Sequence, residues 1–369
     1  MFPATLPVLK CTMSETPSEP NLFSPLTLRQ VTLRNRIGVS PMCMYSAIDG
    51  IPNSWHMVHL GSRAVGGAGL VIAEATSVSP EGRISPADTG IWNEEQAAAW
   101  ARIAEFIGNQ GAVPAIQLAH AGRKAGTSPP WDGGRPITDL GWDLIGPSPV
   151  AFGDGFLAPR EMGLEDISRV IAMFADAAQR SLNAGFRIVE VHAAHGYLLH
   201  QFCSPRSNFR TDGYGGSFEN RTRLLREVIS AVRRVWPMEL PVFLRVSATD
   251  WVNDGWTIDD SIAVSAIARD LGVDLVDVSS GGNIASVQVP VGPGYQVPFA
   301  ERIRREAGIP TAAVGLITDP LQAEAIINKG QADIVLLARE SLRDPYWPRR
   351  AASVLGSTIK APNQYLRGW

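Results

Sequence analysis

Short apolar runs rich in β-branched residues alternate with amphipathic stretches along the chain from Leu22 onward. The runs have the length of strands that are buried on both faces, and the stretches between them repeat at the helical period. The apolar runs predict eight strands, at Arg36–Met42, Leu70–Val78, Val113–His120, Arg187–His195, Val242–Ser247, Leu275–Ser279, Thr311–Leu316 and Ile334–Ala338. The amphipathic stretches predict helices at Trp55–Ala64, Glu94–Asn109, Leu164–Ala184, Phe218–Trp236, Ile258–Leu271, Phe299–Glu306, Pro320–Asn328 and Pro345–Leu355.

Strands that alternate with helices in this way predict an α/β fold, a single (β/α)8 TIM barrel over residues 22–369. An open, doubly wound sheet is the alternative. The longest gap, from about Gly122 to Glu165, is rich in Gly, Pro and Trp, and we interpret it as an excursion after the third strand that covers the active-site face. Residues 1–21 make a poor signal peptide and are expected to be a disordered N-terminal extension.

Composition and charge exclude several classes of protein. The 369 residues carry 33 Lys and Arg against 36 Asp and Glu, so the net charge of −3 provides no field to hold nucleic acid or an anionic membrane. No apolar run approaches the roughly 18 residues of a membrane span. Cys11, Cys43 and Cys203 are too few for a disulfide framework or an iron–sulfur cluster, which favours a reducing, cytoplasmic location.

The densest group of candidate catalytic residues follows the fourth predicted strand. Strand alternation points His192 into the barrel mouth, and the turn through Gly196 allows His195 and Tyr197 to reach the same space. Two imidazoles and a phenol can hydrogen-bond to an oxygen that becomes negative, and the phenol can also deliver a proton. Two core histidines with a packing tyrosine are the alternative. A metal site is less favoured, because no HxH or HExxH pattern accompanies the pair.

Two charged residues interrupt the apolar strands, and two glycine- or arginine-containing turns follow later strands. Glu190 and Arg245 lie on the fourth and fifth strands, where they could neutralise each other, while Arg245 could also face an electron-rich cofactor ring.

The turns after the seventh and eighth strands, where barrels commonly bind phosphate, contain Gly315 and Arg339. An ordinary capped helix with a surface arginine is the alternative for these turns. No dinucleotide-binding glycine pattern follows a strand.

Six segments together resemble the old yellow enzyme family of FMN-dependent ene-reductases, in particular its thermophilic-like branch. They are SPMCMY at 40–45, GRIS at 82–85, QLAHAGRK at 117–124, HAAHGY at 192–197, RTDGYGGSFENR at 210–221 and QYLRGW at 364–369. The resemblance extends over essentially all of residues 22–369.

The resemblance implies tightly bound FMN. The residues implied to contact its ring are Ser40, Pro41, Met42, Cys43, Ala75, Gln117 and Arg245. Among these, Cys43 would tune the redox potential, and Arg245 would lie beside N1 and O2. The residues implied to bind its phosphate are Gly315, Ala338 and Arg339. Ala338 departs from the glycine that the family pattern leads us to expect, which is tolerable if only its backbone N–H is used.

The same resemblance implies a substrate site and a reaction. His192, His195 and Tyr197 would activate the substrate, Tyr45 and Lys124 would shape its pocket, and the C-terminal tail would dock so that Arg367 enters the active site of a neighbouring subunit. NADPH or NADH would reduce the flavin, which would pass hydride to the β-carbon of an α,β-unsaturated carbonyl or nitro compound while Tyr197 protonates the α-carbon. The alternatives are a metal-dependent TIM-barrel hydrolase and a non-catalytic flavin redox sensor that acts through Cys43.

Overall fold

A computed structural model describes residues 20–369, so nearly all of the predicted N-terminal extension lies outside the described residues. Eight parallel strands close into a barrel in chain order, which confirms the predicted α/β fold and TIM barrel. We label them β1 (Ile37–Val39), β2 (Leu70–Ser77), β3 (Val113–Ala119), β4 (Ile188–Ala193), β5 (Val242–Ser247), β6 (Leu275–Ser279), β7 (Thr311–Ala313) and β8 (Ile334–Leu337). Nearly every strand residue is buried, as continuous apolar runs require.

Helices surround the barrel and connect its strands. They are α1 (Ser54–Val65), α2 (Glu94–Asn109), α3 (Leu164–Asn183), α4 (Leu198–Cys203), α5 (Phe218–Arg221), α6 (Arg223–Val235), α7 (Ile258–Asp270), α8 (Val297–Ala307), α9 (Pro320–Asn328), α10 (Arg339–Arg343) and α11 (Trp347–Val354). All eight predicted helices are present, but the one expected at Phe218–Trp236 is divided at Thr222. The Thr222 hydroxyl donates to the Phe218 carbonyl, which also accepts from the Thr222 N–H.

The two ends of the barrel differ. At the amino-terminal ends of the strands, a hairpin of Leu26–Leu28 and Val31–Leu33 packs on the core, and its turn residue Arg29 pairs with Asp274 at 2.6 Å. At the carboxyl ends, the chain between β3 and α3 makes the predicted excursion, which contains a short parallel pair of Ile145–Gly146 and Arg160–Glu161. The candidate residues therefore lie at the covered, loop-rich end of the barrel.

Candidate active site

The turn after β4 brings together the three residues of the predicted catalytic cluster. His192 lies in β4, and the chain then turns through His195 at φ +57° and Gly196 at φ +72°. Tyr197 follows this turn and immediately precedes α4. The ring centroids of His192 and His195 are 5.2 Å apart, and those of His192 and Tyr197 are 5.1 Å apart. An added Cβ on Gly196 would lie 2.4 Å from the Gly282 carbonyl oxygen, so this turn requires glycine.

Burial sets the protonation states of this cluster. It lowers the pKa of His192 and of His195 well below the ordinary value, and the positive charge of Arg245 lowers both further. It raises the pKa of Tyr197 well above the ordinary value. The site therefore holds two neutral imidazoles and a protonated phenol.

Hydrogen bonds orient both imidazoles. Nδ1 of His192 accepts from the Ala194 N–H at 3.3 Å, so the ring proton of this neutral histidine is on Nε2. Nε2 of His195 lies 2.7 Å from Ser279 Oγ. The Ser279 hydroxyl is in turn within 3.3 Å of Gln296 Oε1. Neither Ser279 nor Gln296 was predicted as a site residue, because the contact of Gln296 depends on the path of the loop after β6.

Lys124 and Tyr45 line the same mouth from two other loops. Lys124 Nζ donates to the carbonyl oxygens of His195 at 2.8 Å and Gly282 at 2.7 Å, and it lies 5.0 Å from the centre of the Tyr197 ring. Burial and the neighbouring positive charge of Arg123 lower the pKa of Lys124 to about 7. Tyr45 follows β1, and its ring makes an edge contact with Trp131 of the excursion at 6.0 Å.

The interpretation in which Arg245 and Glu190 neutralise each other as an ion pair is wrong. Arg245 Nε lies 3.0 Å from Oδ2 of Asp277, because β5 and β6 pair with Arg245 directly opposite Asp277. Glu190 instead accepts a hydrogen bond from Gln117 Nε2 at 2.8 Å, and it stands opposite Phe243 in the β4–β5 ladder.

The predicted ring-contacting residues come from β1, β2, β3 and β5. Arg245 Nη2 donates to Ser40 Oγ at 3.3 Å, which joins β5 to the residue after β1. A register irregularity between Ala73 and Ala75 in β2 sets the position of Ala75 opposite Gln117. Ala75 and Cys43 belong to one small apolar cluster that Tyr197 also contacts, whereas Met42 packs on the main core. Pro41 is buried beside Ser40.

The turns predicted to bind phosphate line one cavity, whose empty space is about 600 Å³ including space open to solvent. Gly315, Ala338, Arg339 and Arg245 all line this cavity. Gly315 adopts φ +123°, and an added Cβ would come within 2.9 Å of the Tyr295 ring. Arg339 has neither a hydrogen bond nor an ion pair to any side chain of residues 20–369.

The C-terminal tail does dock, but on its own chain. Trp369 makes an edge contact with Tyr346 at 6.3 Å and lies 5.1 Å from the Arg349 guanidinium, which also donates to the Gly368 carbonyl oxygen. Arg367, two residues before Trp369, is exposed. In the described part of the chain it contacts none of the candidate site residues by hydrogen bond or ion pair.

The sequence matches the model of the NADH:flavin oxidoreductase / NADH oxidase family over residues 21–357. The chain belongs to this family. It is 49% identical over 350 residues to an NADPH dehydrogenase of Geobacillus thermodenitrificans, covering 94% of this chain and 98% of that protein. An NADPH dehydrogenase of Bacillus subtilis is 47% identical over 350 residues, covering 94% and 99%. The resemblance to old yellow enzymes and the assignment as an oxidoreductase are thereby confirmed, and the hydrolase alternative is excluded.

Solved structures of the same kind share the fold. Morphinone reductase in complex with tetrahydroNAD has a TM-score of 0.76 and 28% identity, covering 94% of this chain and 93% of that one. The old yellow enzyme homologue from Zymomonas mobilis has a TM-score of 0.76 and 25% identity, covering 93% and 94%.

The residues present fit the FMN that this family uses. Gly315 lines the cavity with its backbone alone, and the cation of Arg339, which also lines it, has no side-chain partner among the described residues. Arg245 and Arg339 line the same cavity, so one bound molecule that carries a phosphate can contact both arginines. Over residues 20–369, no helix is long and apolar enough to cross a membrane, and no cluster of three His, Cys, Asp or Glu side chains could hold a metal ion.

Proposed function

We propose that the protein reduces the C=C bond of activated alkenes, namely α,β-unsaturated carbonyl or nitro compounds, with NADPH or NADH as the reductant. The convergence of His192, His195 and Tyr197 carries this proposal, because ring centroids 5.1 and 5.2 Å apart bring two neutral hydrogen-bond donors and one acid together. These groups match a substrate whose oxygen becomes negative while a neighbouring carbon accepts a proton.

We assign the residues that hold FMN as follows. The ring is held by Ser40, Pro41, Met42, Cys43, Ala75, Gln117 and Arg245, and the phosphate by Gly315, Ala338 and Arg339. The chemistry that FMN supplies when bound is the transfer of hydride from the nicotinamide to the β-carbon of the alkene. The name NADPH dehydrogenase given to the relatives supports NADPH as the reductant, and the complex of morphinone reductase with tetrahydroNAD supports a nicotinamide as a ligand of this fold.

The two histidines polarise the substrate oxygen. The proton of His192 is on Nε2, because Nδ1 accepts from the Ala194 N–H, so Nε2 is the atom that donates to the substrate. Nε2 of His195 accepts from the Ser279 hydroxyl at 2.7 Å in this proposal, so its proton is on Nδ1 and Nδ1 is the atom that donates to the substrate. Donors held in place before the reaction stabilise developing charge most effectively, and removal of one should lower the rate of alkene reduction by about 100-fold.

Tyr197 delivers the proton. Burial raises the pKa of its phenol, so the group is a weak acid that stays protonated in the resting site. Such an acid gives its proton only to a strong base, and the α-carbon becomes one as hydride reaches the β-carbon. Lys124 and Tyr45 shape the pocket around the alkene, since both contact the same turn or the excursion that covers it.

The substitution Tyr197→Phe tests the proton donor. We expect NADPH to reduce the bound flavin at nearly the parental rate, while reoxidation of the reduced enzyme by 2-cyclohexenone slows by about 100-fold. Stopped-flow absorbance resolves the two half-reactions. Tyr214→Phe is the matched control, because the Tyr214 hydroxyl donates to Glu227 Oε2 at 3.0 Å and not to a residue of the catalytic cluster. Equal slowing of both half-reactions, or of neither, would remove Tyr197 from this role.

Turnover itself separates the proposal from a redox sensor that acts through Cys43. An ene-reductase oxidises NADPH faster when 2-cyclohexenone or a maleimide is added, whereas a sensor without turnover does not. Absence of any stimulation in the FMN-loaded protein would favour the sensor.

We further propose a homo-oligomer in which Arg367 acts in the neighbouring site. The anchored tail supports this, because Trp369 is held against Tyr346 while Arg367 remains exposed and unpaired within residues 20–369. Coexpression of Arg367→Ala with Tyr197→Phe should restore alkene reduction above either variant alone, since a mixed pair contains one complete site. Arg187→Ala, which removes another exposed arginine just before β4, is the control variant. If coexpression of Arg367→Ala with Tyr197→Phe restores no alkene reduction, Arg367 does not act in the neighbouring site.

A further inference from the structure

The turn that carries His195 and Tyr197 is held almost entirely by side chains. The His195 N–H donates to Ser247 Oγ at 2.9 Å, and the His195 carbonyl oxygen accepts from Lys124 Nζ at 2.8 Å. The Gly196 N–H donates to Nδ1 of His200 at 3.0 Å, and the Gly196 carbonyl oxygen accepts from Gln201 Nε2 at 2.7 Å. All four polar backbone groups of these two residues thus have a side-chain partner.

Side-chain partners are needed here because the turn has an unfavourable backbone. His195 and Gly196 both have positive φ, and this conformation is costly for a residue with a Cβ. Without its partners the turn would relax, and the imidazole and phenol on either side of Gly196 would lose their common position.

His200 differs from the other three partners because its bond depends on a tautomer. A neutral imidazole carries one proton, and Nδ1 accepts from the Gly196 N–H, so the proton of His200 is on Nε2. Nε2 lies 3.1 Å from Oδ1 of Asp250, and both side chains are almost fully buried. A carboxylate offers only acceptors, so it favours the Nε2–H tautomer.

Asp250 is itself fixed on its other oxygen. Oδ2 accepts from the Trp256 N–H at 3.0 Å and from Ser204 Oγ at 2.5 Å, and it lies 3.5 Å from Asn283 Nδ2. Burial alone would raise the pKa of Asp250, but His200, Ser204 and the Trp256 N–H lower it to about 2. The carboxylate therefore stays ionised throughout the pH range in which the enzyme would work.

We propose that His200 and Asp250 are positioning residues for the alkene-reducing reaction: Asp250 keeps the proton of His200 on Nε2, and Nδ1 then holds the Gly196 N–H and with it His195 and Tyr197. This inference rests on the proposed function for its consequence, but the tautomer of His200 can be measured independently of any activity. Both residues act through the Gly196 N–H and not by contact with the substrate or FMN.

Asp250→Asn tests the inference with little change of shape. Its remaining oxygen is needed by the Trp256 N–H and Ser204, so the amide nitrogen faces His200 Nε2 and donates to it. The proton of His200 then moves to Nδ1, where it opposes the Gly196 N–H. We expect ¹⁵N NMR of the FMN-loaded protein with labelled histidine to show this exchange of tautomer. We also expect reoxidation of the dithionite-reduced enzyme by 2-cyclohexenone to slow by roughly 10- to 100-fold.

A rescue variant separates positioning from a general loss of structure. Asn at position 200 has an oxygen at the γ-branch, close to where Nδ1 stands, and it has no tautomer for Asp250 to control. His200→Asn should therefore stay near the parental rate, His200→Leu should lose activity as Asp250→Asn does, and the double variant His200→Asn/Asp250→Asn should recover most of the rate. The pair of His200 variants also tests the inference if Asp250→Asn does not fold.

The outcomes are distinct. A change of tautomer with slowed alkene reoxidation and recovery in the double variant supports the inference, as long as FMN content and oxidation by dioxygen are unchanged. An unchanged tautomer, an unchanged rate, or a slow double variant overturns it. If the parental enzyme reduces no alkene, the proposed function fails, while the tautomer measurement still decides whether Asp250 controls His200.

Discussion

Replacement of Asp277 by asparagine should destabilise the protein at pH 7, because it removes the counter-charge of a buried guanidinium. Oδ2 of Asp277 lies 3.0 Å from Arg245 Nε, and the two side chains are 0% and 7% exposed. Burial raises the pKa of Asp277 to about 6 despite the opposing effect of Arg245, so the carboxylate is largely ionised at pH 7. Within residues 20–369, the side-chain hydrogen-bond partner of this guanidinium is Ser40 Oγ at 3.3 Å, so Asp277 provides its charge compensation.

The expected loss follows from the separation of the charges. Two unit charges about 4 Å apart interact by about 4 kcal/mol at an effective dielectric constant of about 20. Loss of one member of a buried ion pair costs about 3–5 kcal/mol, because the remaining charge is left without compensation. Neutralisation also relieves the burial cost that raises the pKa of Asp277, so we expect a smaller decrease of about 2 kcal/mol in the free energy of unfolding.

Urea unfolding followed by circular dichroism, at pH 7 and a fixed excess of FMN, measures this change. Glu190→Gln is the matched control, because Glu190 is equally buried but accepts from Gln117 instead of pairing with Arg245. Burial and the nearby Asp277 raise the pKa of Glu190 to about 8, so its isosteric amide replaces a protonated acid and should not destabilise. A decrease below about 1 kcal/mol for Asp277→Asn, or equal decreases in both variants, would refute the assignment of the pair.

Three further predictions concern the buried acid, the phosphate turn and the thiol. Because the folded state holds a proton on Glu190 that the unfolded chain releases above its ordinary pKa of 4.5, stability should fall as pH rises from there to about 8 and level off above it. Glu190→Gln should remove this part of the decrease, up to about 1.4 kcal/mol per pH unit, in urea titrations. Gly315→Ala should weaken FMN binding by at least about tenfold in fluorescence titration without loss of the apo fold, since its Cβ meets the Tyr295 ring at 2.9 Å; unchanged affinity would exclude this turn as the phosphate site. Cys43 should react with iodoacetamide at least about tenfold more slowly than free cysteine at pH 7.5, followed by mass spectrometry, because burial and then Asp88 raise its pKa; fast alkylation would indicate the thiolate that a redox sensor needs.

The sequence predicted the barrel because its strands are buried on both faces. Continuous apolar runs and helical periods are local signals, and all eight strands and the excursion after β3 were found where they were expected. The ends of the strands were less predictable. The first strand was expected to reach Met42 but ends at Val39, since Pro41 has no N–H to continue the ladder.

Contacts that depend on register or on distant loops were not predictable from the sequence. Arg245 has a carboxylate-bearing strand on either side, and only the pairing register shows that Asp277 and not Glu190 stands opposite it. The cluster around His192 was predictable, because polar residues at the carboxyl ends of barrel strands lie on the active-site face whatever the pairing register of the strands. The contact of His200 with Asp250 joins α4 to the loop after β5, and no spacing rule predicts it.

The protonation states of the three candidate catalytic side chains have one physical cause. Burial penalises charge, so it keeps His192 and His195 neutral and Tyr197 protonated, while Arg245 strengthens the first effect and opposes the second. Two donors and an acid are consequently present together over the same range of pH. The same residues exposed to water would lose the neutral imidazoles near the ordinary histidine pKa of about 6.5. The covered end of the barrel is therefore a chemical requirement of the proposed reaction as much as the three side chains are.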